Sequence, residues 1–331
     1  MKLIIPMAGM GKRMRPHTLT IPKPLIPIAG IPIVQRLAEE ITKVSKSKID
    51  EIGFIIGDFG KDVEEKLLKI AENLGAKGII YYQKEALGTG HAIYCAEPSL
   101  KGKIIVAFAD TLFKADFNLD EDTSSVIWTK QVDNPEAFGV VKKDENGYIT
   151  DFIEKPETFV SDEAIIGIYY FKEGERLEKE LKYLIDNDIR GNNEYQLTDA
   201  LENMKNKNIN FKSATVTEWL DCGNKDATVY TNQRILHHQG NKISETVEQN
   251  YSVIIQPCFI DAGAIINNSV VGPYVSVGKN TLIKNSVISN SIIQNNCSIT
   301  EAVFSNSMIG NHVVINKPKD DLSIGDYNIL R

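Results

Sequence analysis

The sequence has no apolar run approaching the roughly 20 residues that span a bilayer, so no membrane partner is expected. Cysteine is sparse. Cys95, Cys222, Cys258 and Cys297 are scattered, without the spacing of a zinc site or a thioredoxin-type motif. Such a distribution suits reduced thiols in a cytoplasm better than a disulfide framework. Residues 1–10 are too short for a signal peptide and read as a buried strand. An excess of positive charge is missing too. The net charge of −7 gives no electrostatic reason to expect nucleic acid as a partner. What remains is 42% hydrophobic and 24% charged residues, the balance of a folded globular protein. A chain of 331 residues exceeds what one core usually supports, so two domains are expected.

From residue 2 to about 239, apolar strands alternate with amphipathic helices. Strands are expected over 2–7, 52–56, 79–82 and 104–108, and helices over 33–44, 63–74 and 89–96. Ile33, Leu37, Ile41 and Val44 mark the first helix, and Val63, Leu67, Ile70 and Leu74 the second. This alternation argues for a mainly parallel α/β sheet covered on both faces. The pattern then becomes mixed. Strands over 126–131, 139–142, 148–153, 164–171 and 211–219, with helices over 175–187, 194–205 and 226–237, imply antiparallel additions to that core. The boundary is expected in the polar, weakly periodic stretch 240–250. The domains then run 1–240 and 241–331.

A new period begins at Ser252. Ile254, Ile260 and Ile266 are six apart, as are Val271, Val277 and Ile283. Ile293 and Ile299 repeat the interval, and two steps are five, Ile266 to Val271 and Ile288 to Ile293. A hexapeptide period with one aliphatic residue per step is the signature of a parallel β-helix. Asn and Gly fill the intervals because they tolerate left-handed turns. About ten hexads would form roughly three coils. The tail after Pro318, with Asp320-Asp321, is expected to cover the last coil. Flat β-helix faces invite self-association, so a homo-oligomer is expected.

The chemistry concentrates after the first strand, in Met7-Ala8-Gly9-Met10-Gly11-Lys12-Arg13-Met14-Arg15-Pro16. Glycines let backbone N–H groups approach a phosphate closely. Lys12, Arg13, Arg15 and then Lys23 add positive charge. A solvated basic loop with turn glycines is the plainer reading, but a strand before it and prolines after it favour a triphosphate site. A dinucleotide fingerprint is excluded because Met14 stands where its third glycine belongs. A Walker loop is excluded because Arg13 follows Gly11-Lys12, where Ser or Thr is needed.

Gly9-x-Gly11-x-Arg13-Met14-x-Pro16, with Lys23-Pro24-Leu25 and Pro27, resembles the sugar-phosphate nucleotidylyltransferases. Lys12 departs from the usual Thr or Ser, and its backbone is expected to do the phosphate work. Further segments resemble the family in order. These are Gln83 with Leu87-Gly88-Thr89-Gly90, Ala109-Asp110, Phe138-Gly139, Glu154-Lys155-Pro156, Ile166-Gly167, Glu194 to Asp199, and Trp219-Leu220-Asp221-Cys222-Gly223. Several have plainer readings: Thr89 as a helix N-cap, Glu154 and Lys155 as a surface ion pair, Glu194 and Asp199 as helix-capping groups, and Asp221 as a turn residue. Ile165 stands where some N-acetylglucosamine-specific relatives carry Asn.

The resemblance implies a left-handed β-helix behind a nucleotidyltransferase core of Rossmann-like build. It implies transfer of a nucleotidyl group from a nucleoside triphosphate to a sugar 1-phosphate, with release of pyrophosphate. Arg13 and Lys23 would act on the phosphates, and Ala8, Gly9, Gly11, Lys12, Gln83, Gly88 and Thr89 would hold the nucleotide. Gly139, Glu154, Lys155 and Gly167 would bind the sugar phosphate. Asp110 and Asp221 would bind Mg²⁺. His91 receives no role. Thymidylyl transfer to glucose 1-phosphate is the leading expectation, with uridylyl transfer to the same sugar or guanylyl transfer to mannose 1-phosphate as alternatives. A catalytically silent subunit that binds nucleotide sugars is the reading from a different class. Acyl transfer by the β-helix is not expected.

Overall fold

The computed structural model describes residues 1–317. The expected covering tail after Pro318 lies outside them. By packing, the chain forms two units. The first comprises Met1–Ile26 and Pro32–Gly223, and the second Pro27–Ile31 and the chain from Asn224 onward.

The first unit is built on eleven strands: β1 Lys2–Pro6, β2 Glu51–Ile56, β3 Lys77–Tyr82, β4 Ile104–Ala107, β5 Thr111–Lys114, β6 Ser125–Gln131, β7 Gly139–Lys143, β8 Ile149–Glu154, β9 Glu163–Phe171, β10 Phe211–Thr215 and β11 Glu218–Asp221. Nine of them form one sheet, in the order β8-β7-β9-β4-β1-β2-β3, with β6 and then β10 added beside β9. β1 pairs in parallel with both β2 and β4, and β2 with β3. β9 runs antiparallel to β4 and β6. The expected mixed, mainly parallel α/β core is therefore present.

Helices cover the sheet: α1 Ile33–Val44, α2 Lys61–Asn73, α3 Thr89–Tyr94, α4 Gly174–Asp186 and α5 Leu197–Asn206. Ile33, Leu37, Ile41 and Val44 are all buried along one side of α1, as their spacing requires. Val106 of β4, Ile93 of α3, Leu181 of α4 and Leu201 of α5 share one buried cluster.

Two expectations are corrected. The strand over 211–219 is two strands, because the chain leaves β6 at Val216 and β11 pairs instead with β5, with Asp221 opposite Thr111. The helix over 194–205 starts only at Leu197. Gly191 and Glu194 bond to each other, and Tyr195 bonds to Leu87 and Gly90 instead of entering the helix. The stretch 240–250 carries the strands Lys242–Ile243 and Glu248–Asn250 of the first β-helix coil.

The second unit opens with α6, Lys225–Gln239, capped by Asn224, whose Oδ1 accepts from Ala227 N at 3.0 Å. Its short strands then stack into three parallel sheets of five, five and four strands. That is the three-sided coil of a β-helix, with more coils than the hexads from Ser252 alone suggest. Ile260, Val277, Ile283 and Ile299 point inward and are buried. Asn268 and Asn285 bond to each other 17 residues apart, and Asn280 and Asn296 16 apart. Coils shorter than three full hexads explain the five-residue steps. Asn268, Asn280, Asn285, Asn290, Asn296 and Asn306 all hold positive φ at the corners, as expected.

Candidate active site

In the order β4-β1-β2, the chain runs outward in opposite directions from β1. A crevice therefore opens past the carboxyl ends of β1 and β4, where open α/β sheets bind ligands. A cleft lies there, lined by the loop after β1, the segment around Gly88, and Phe108-Ala109-Asp110 after β4.

The loop after β1 turns at Gly11, which holds φ 57 and starts a 3-10 turn, Lys12–Met14. Met14 anchors that turn in the core, fully buried. Thr18 Oγ1 donates to Gly11 O at 2.8 Å. Gly9 differs from Gly11 in one respect. A Cβ placed on Gly9 would meet no protein atom within 4 Å, so packing does not account for the glycine. Its missing side chain leaves backbone open to the cleft, which suits a close-lying phosphate.

Lys23 Nζ reaches across to Asp110 Oδ2 at 2.6 Å, with only 14% of the lysine side chain exposed. Asp221 ends β11 close by. Cys222 N donates to Asp110 O at 2.9 Å, and Asp221 Oδ1 accepts from Gly223 N at 3.0 Å. Burial first, then the charge of Asp110, push the Asp221 carboxyl above the ordinary carboxylate value. Lys23, the Gly223 N–H and Arg13 act against that shift. The Gly223 N–H bond is the contact expected of a turn residue, and the same carboxyl also feels the charges of Asp110, Lys23 and Arg13.

Two neighbouring carboxylates are a fit donor set for a hard divalent cation that completes its shell with phosphate and water oxygens. Among the described residues no group of three or more His, Cys, Asp or Glu residues could hold a metal unaided. A cation here would depend on substrate oxygens.

The Gly88 segment owes its shape to a distant stretch of chain. Tyr195 N donates to Leu87 O at 2.8 Å, and Gly90 N to Tyr195 O at 2.8 Å. A Cβ on Gly88, which holds φ +107, would come within 2.6 Å of Tyr195 O. Gly88 is the N-cap of α3, so Thr89 is not. Thr89 Oγ1 instead accepts from Leu197 N at 3.0 Å, serving the first turn of α5. Asp188 and Arg190 hold the Tyr195 hydroxyl, at 2.7 and 3.0 Å. Gln83 Nε2 donates to Gly88 O at 3.1 Å and lies 3.2 Å from His91 Nδ1.

Of the residues expected at the site, Ala8, Gly9, Gly11, Lys23, Gln83, Gly88, Thr89 and Asp110 line this cleft. Lys12 and Arg13 are exposed on the 3-10 turn outside the lining. Gly139 and Glu154 pair across β7 and β8, and a Cβ on Gly139 would lie 2.9 Å from Glu154 Oε2. Lys155 follows with φ 44, its N–H donating to Phe138 O at 3.1 Å. Glu154 and Lys155 are both exposed, and no ion pair joins them among the described residues. Gly167 sits at the break in β9, where its carbonyl accepts from Phe108 N at 3.0 Å. Gly139, Glu154, Lys155 and Gly167, expected on the sugar side, line no part of the cleft around Gly9.

Sequence reasoning assigned no site role to four residues. Glu194, read as a helix-capping group, lines the cleft, and Phe108 lines it too. Tyr195 shapes it through its backbone. Trp219, two residues before Asp221 on β11, has a buried indole N–H without a partner, and its ring lies 4.8 Å from that of Phe138. Aromatic and apolar residues at such positions give no signal distinct from core packing.

The chain belongs to the nucleotidyl transferase family, whose model matches residues 2–238. It is 28% identical to the low-salt glycan biosynthesis nucleotidyltransferase Agl11 of Haloferax volcanii, over 98% of this chain and 96% of that protein. It is also 28% identical to a glucose-1-phosphate thymidylyltransferase of Streptomyces antibioticus, over 95% and 93%. A crystal structure of UDP-glucose pyrophosphorylase with UDP-glucose superposes with a TM-score of 0.59 at 25% identity, covering 72% of this chain and 98% of the other. Together these likenesses support sugar-phosphate nucleotidyl transfer as the class of activity. Among the described residues no helix is long and apolar enough to cross a membrane, and the four cysteines are free thiols.

Proposed function

We propose that the protein joins dTTP and glucose 1-phosphate to give dTDP-glucose and pyrophosphate. The observation that carries this reading is the convergence of the open Gly9 backbone, Lys23, Gln83, Gly88 and Asp110 on one cleft. A thymidylyltransferase among the full-length relatives supports the choice of base and sugar. Uridylyl transfer to the same sugar is the second reading, favoured by the UDP-glucose carried by a structural neighbour.

In this reading an oxygen of the sugar phosphate attacks the α-phosphorus in line. A new P–O bond forms, the bond to the β-phosphate oxygen breaks, and pyrophosphate leaves. The attacking oxygen is already ionised, so no general base is required. The site has to hold two anions together and neutralise the charge that grows on the leaving group. Arg13 and the backbone from Ala8 to Lys12 bind the β- and γ-phosphates. Lys23 exchanges Asp110 for an oxygen of the α-phosphate or leaving group. Gln83, Gly88 and Thr89 hold the base. Gly139, Glu154 and Gly167 face the sugar, and Lys155 holds its phosphate. Asp110 and Asp221 hold a divalent cation, Mg²⁺ in this reading, which supplies further charge neutralisation when bound.

The core through residue 240 carries this chemistry, and the β-helix from 241 serves structure and self-association in the cytoplasm. One β-helix face supports that role. Val253, Val287 and Val303 stand exposed in register on it. The reading is tested by initial rates of pyrophosphate release with dTTP, UTP, GTP, ATP and CTP, each paired with glucose, mannose and N-acetylglucosamine 1-phosphates. Fastest release from dTTP with glucose 1-phosphate is expected. A different preferred pair would replace the substrate assignment.

A further inference from the structure

His91 has no role in the scheme above, yet it touches a residue that does. Gln83 Nε2 lies 3.1 Å from Gly88 O and 3.2 Å from His91 Nδ1. A carbonyl oxygen only accepts, so the Gln83 atom facing it is the amide nitrogen. The second amide hydrogen then falls to His91, whose Nδ1 accepts it in the neutral tautomer with hydrogen on Nε2. Burial lowers the His91 pKa from its ordinary value, with Glu85 acting against it, which favours the neutral ring. The Tyr195 ring packs beside it, 6.4 Å between centroids. With both amide hydrogens engaged, Gln83 offers the cleft only its Oε1, an acceptor.

We infer that His91 is a positioning residue that fixes the Gln83 amide so that the cleft presents an acceptor to the base. That arrangement selects a pyrimidine whose ring N3 carries hydrogen, as in uracil and thymine. It rejects cytosine, whose N3 is itself an acceptor and would face Oε1 with no hydrogen between them. A site built around a fixed acceptor discriminates because the wrong base leaves polar groups unpaired. The inference rests on the nucleotide-transfer reading and adds the device that sets base choice.

The test compares rates with dTTP, UTP and CTP, at saturating glucose 1-phosphate, for the wild-type chain and for His91→Phe and His91→Asn. In His91→Phe the acceptor is gone. The KM for dTTP is expected to rise about tenfold, with kcat within about twofold, and the preference over CTP to shrink. In His91→Asn an Oδ1 takes the place of Nδ1, and both KM and preference return toward wild type. Where His91→Phe fails to fold, His91→Ala makes the same comparison. Unchanged KM and preference in the acceptor-free variant would overturn the inference. Equal losses in the Phe and Asn variants would also overturn it, since a merely structural role predicts them. Failure of the underlying reading is distinct, because the wild-type chain would then release no pyrophosphate from any triphosphate.

Discussion

Lys23 Nζ and Asp110 Oδ2 lie 2.6 Å apart, so the cation assigned to phosphate and the carboxylate assigned to metal neutralise each other in this structure. The pair is partly exposed, at 14% and 33% of the two side chains. Such pairs contribute about 0–1 kcal/mol to stability. Its importance is therefore positional. Asp110→Asn should lower kcat by at least about 100-fold with Mg²⁺ present. It should move the melting temperature by no more than about 2–4 °C. Steady-state kinetics beside thermal melting checks both, and near-wild-type rates would remove Asp110 from the site.

Asp221 ties activity to pH. Its carboxyl is raised by burial and by Asp110, so the folded protein binds its proton more tightly than the unfolded chain does. The sign follows from linkage: this group destabilises the fold as pH rises through the raised folded value, and less so below it. Asp221→Asn should therefore melt higher than wild type at pH 7 while losing most metal-dependent turnover. In the wild-type chain, the acid limb of kcat/KM should lie above the ordinary carboxylate range. A variant that melts lower, with activity intact, would contradict the assignment.

Lys155 stands exposed beside Glu154. Lys155→Ala should raise the KM for the sugar 1-phosphate by about 10- to 100-fold, the worth of a charge-assisted hydrogen bond. The KM for the triphosphate should hardly change. Loss of triphosphate binding alone would move Lys155 to the other substrate.

A stability test lies away from the cleft, at Glu121. Burial alone would raise its carboxyl, but Ser47 and Lys103 outweigh that and hold it down to about 2. Ser47 N donates at 2.7 Å, the Ser47 hydroxyl donates as well, and Lys103 Nζ lies at 2.9 Å. The contribution is present above the unfolded carboxylate value and is lost as pH falls toward about 2. Glu121→Gln should cost about 1–3 kcal/mol at pH 7, with the gap to wild type closing in acid. Urea titrations at several pH values measure it.

How much of this was legible in the sequence depended on the range of the interactions. Gly9, Gly11 and Asp110 were legible because each follows directly from a strand, and chain direction alone carries it to the sheet's carboxyl edge. The β-helix was legible from Ser252, where inward Ile and Val repeat. Its first coil was not, because Gln249 fills the position aligned with inward Ile266, and the end coil has fewer neighbours to demand an aliphatic side chain. The start of α5 was misplaced because Tyr195 bonds to Leu87 and Gly90, and Leu197 N to Thr89, contacts about a hundred positions away in the chain. His91 carried no signal, since its hydrogen bond to Gln83 appears only once that turn has closed.

The most direct test of the account is the stoichiometry of one reaction. With Mg²⁺, dTTP and glucose 1-phosphate, the wild-type chain should release one pyrophosphate for each dTDP-glucose formed, and none when the sugar phosphate is left out. Pyrophosphate release from dTTP alone, or no nucleotide sugar from any pairing of triphosphate and sugar phosphate, would contradict it.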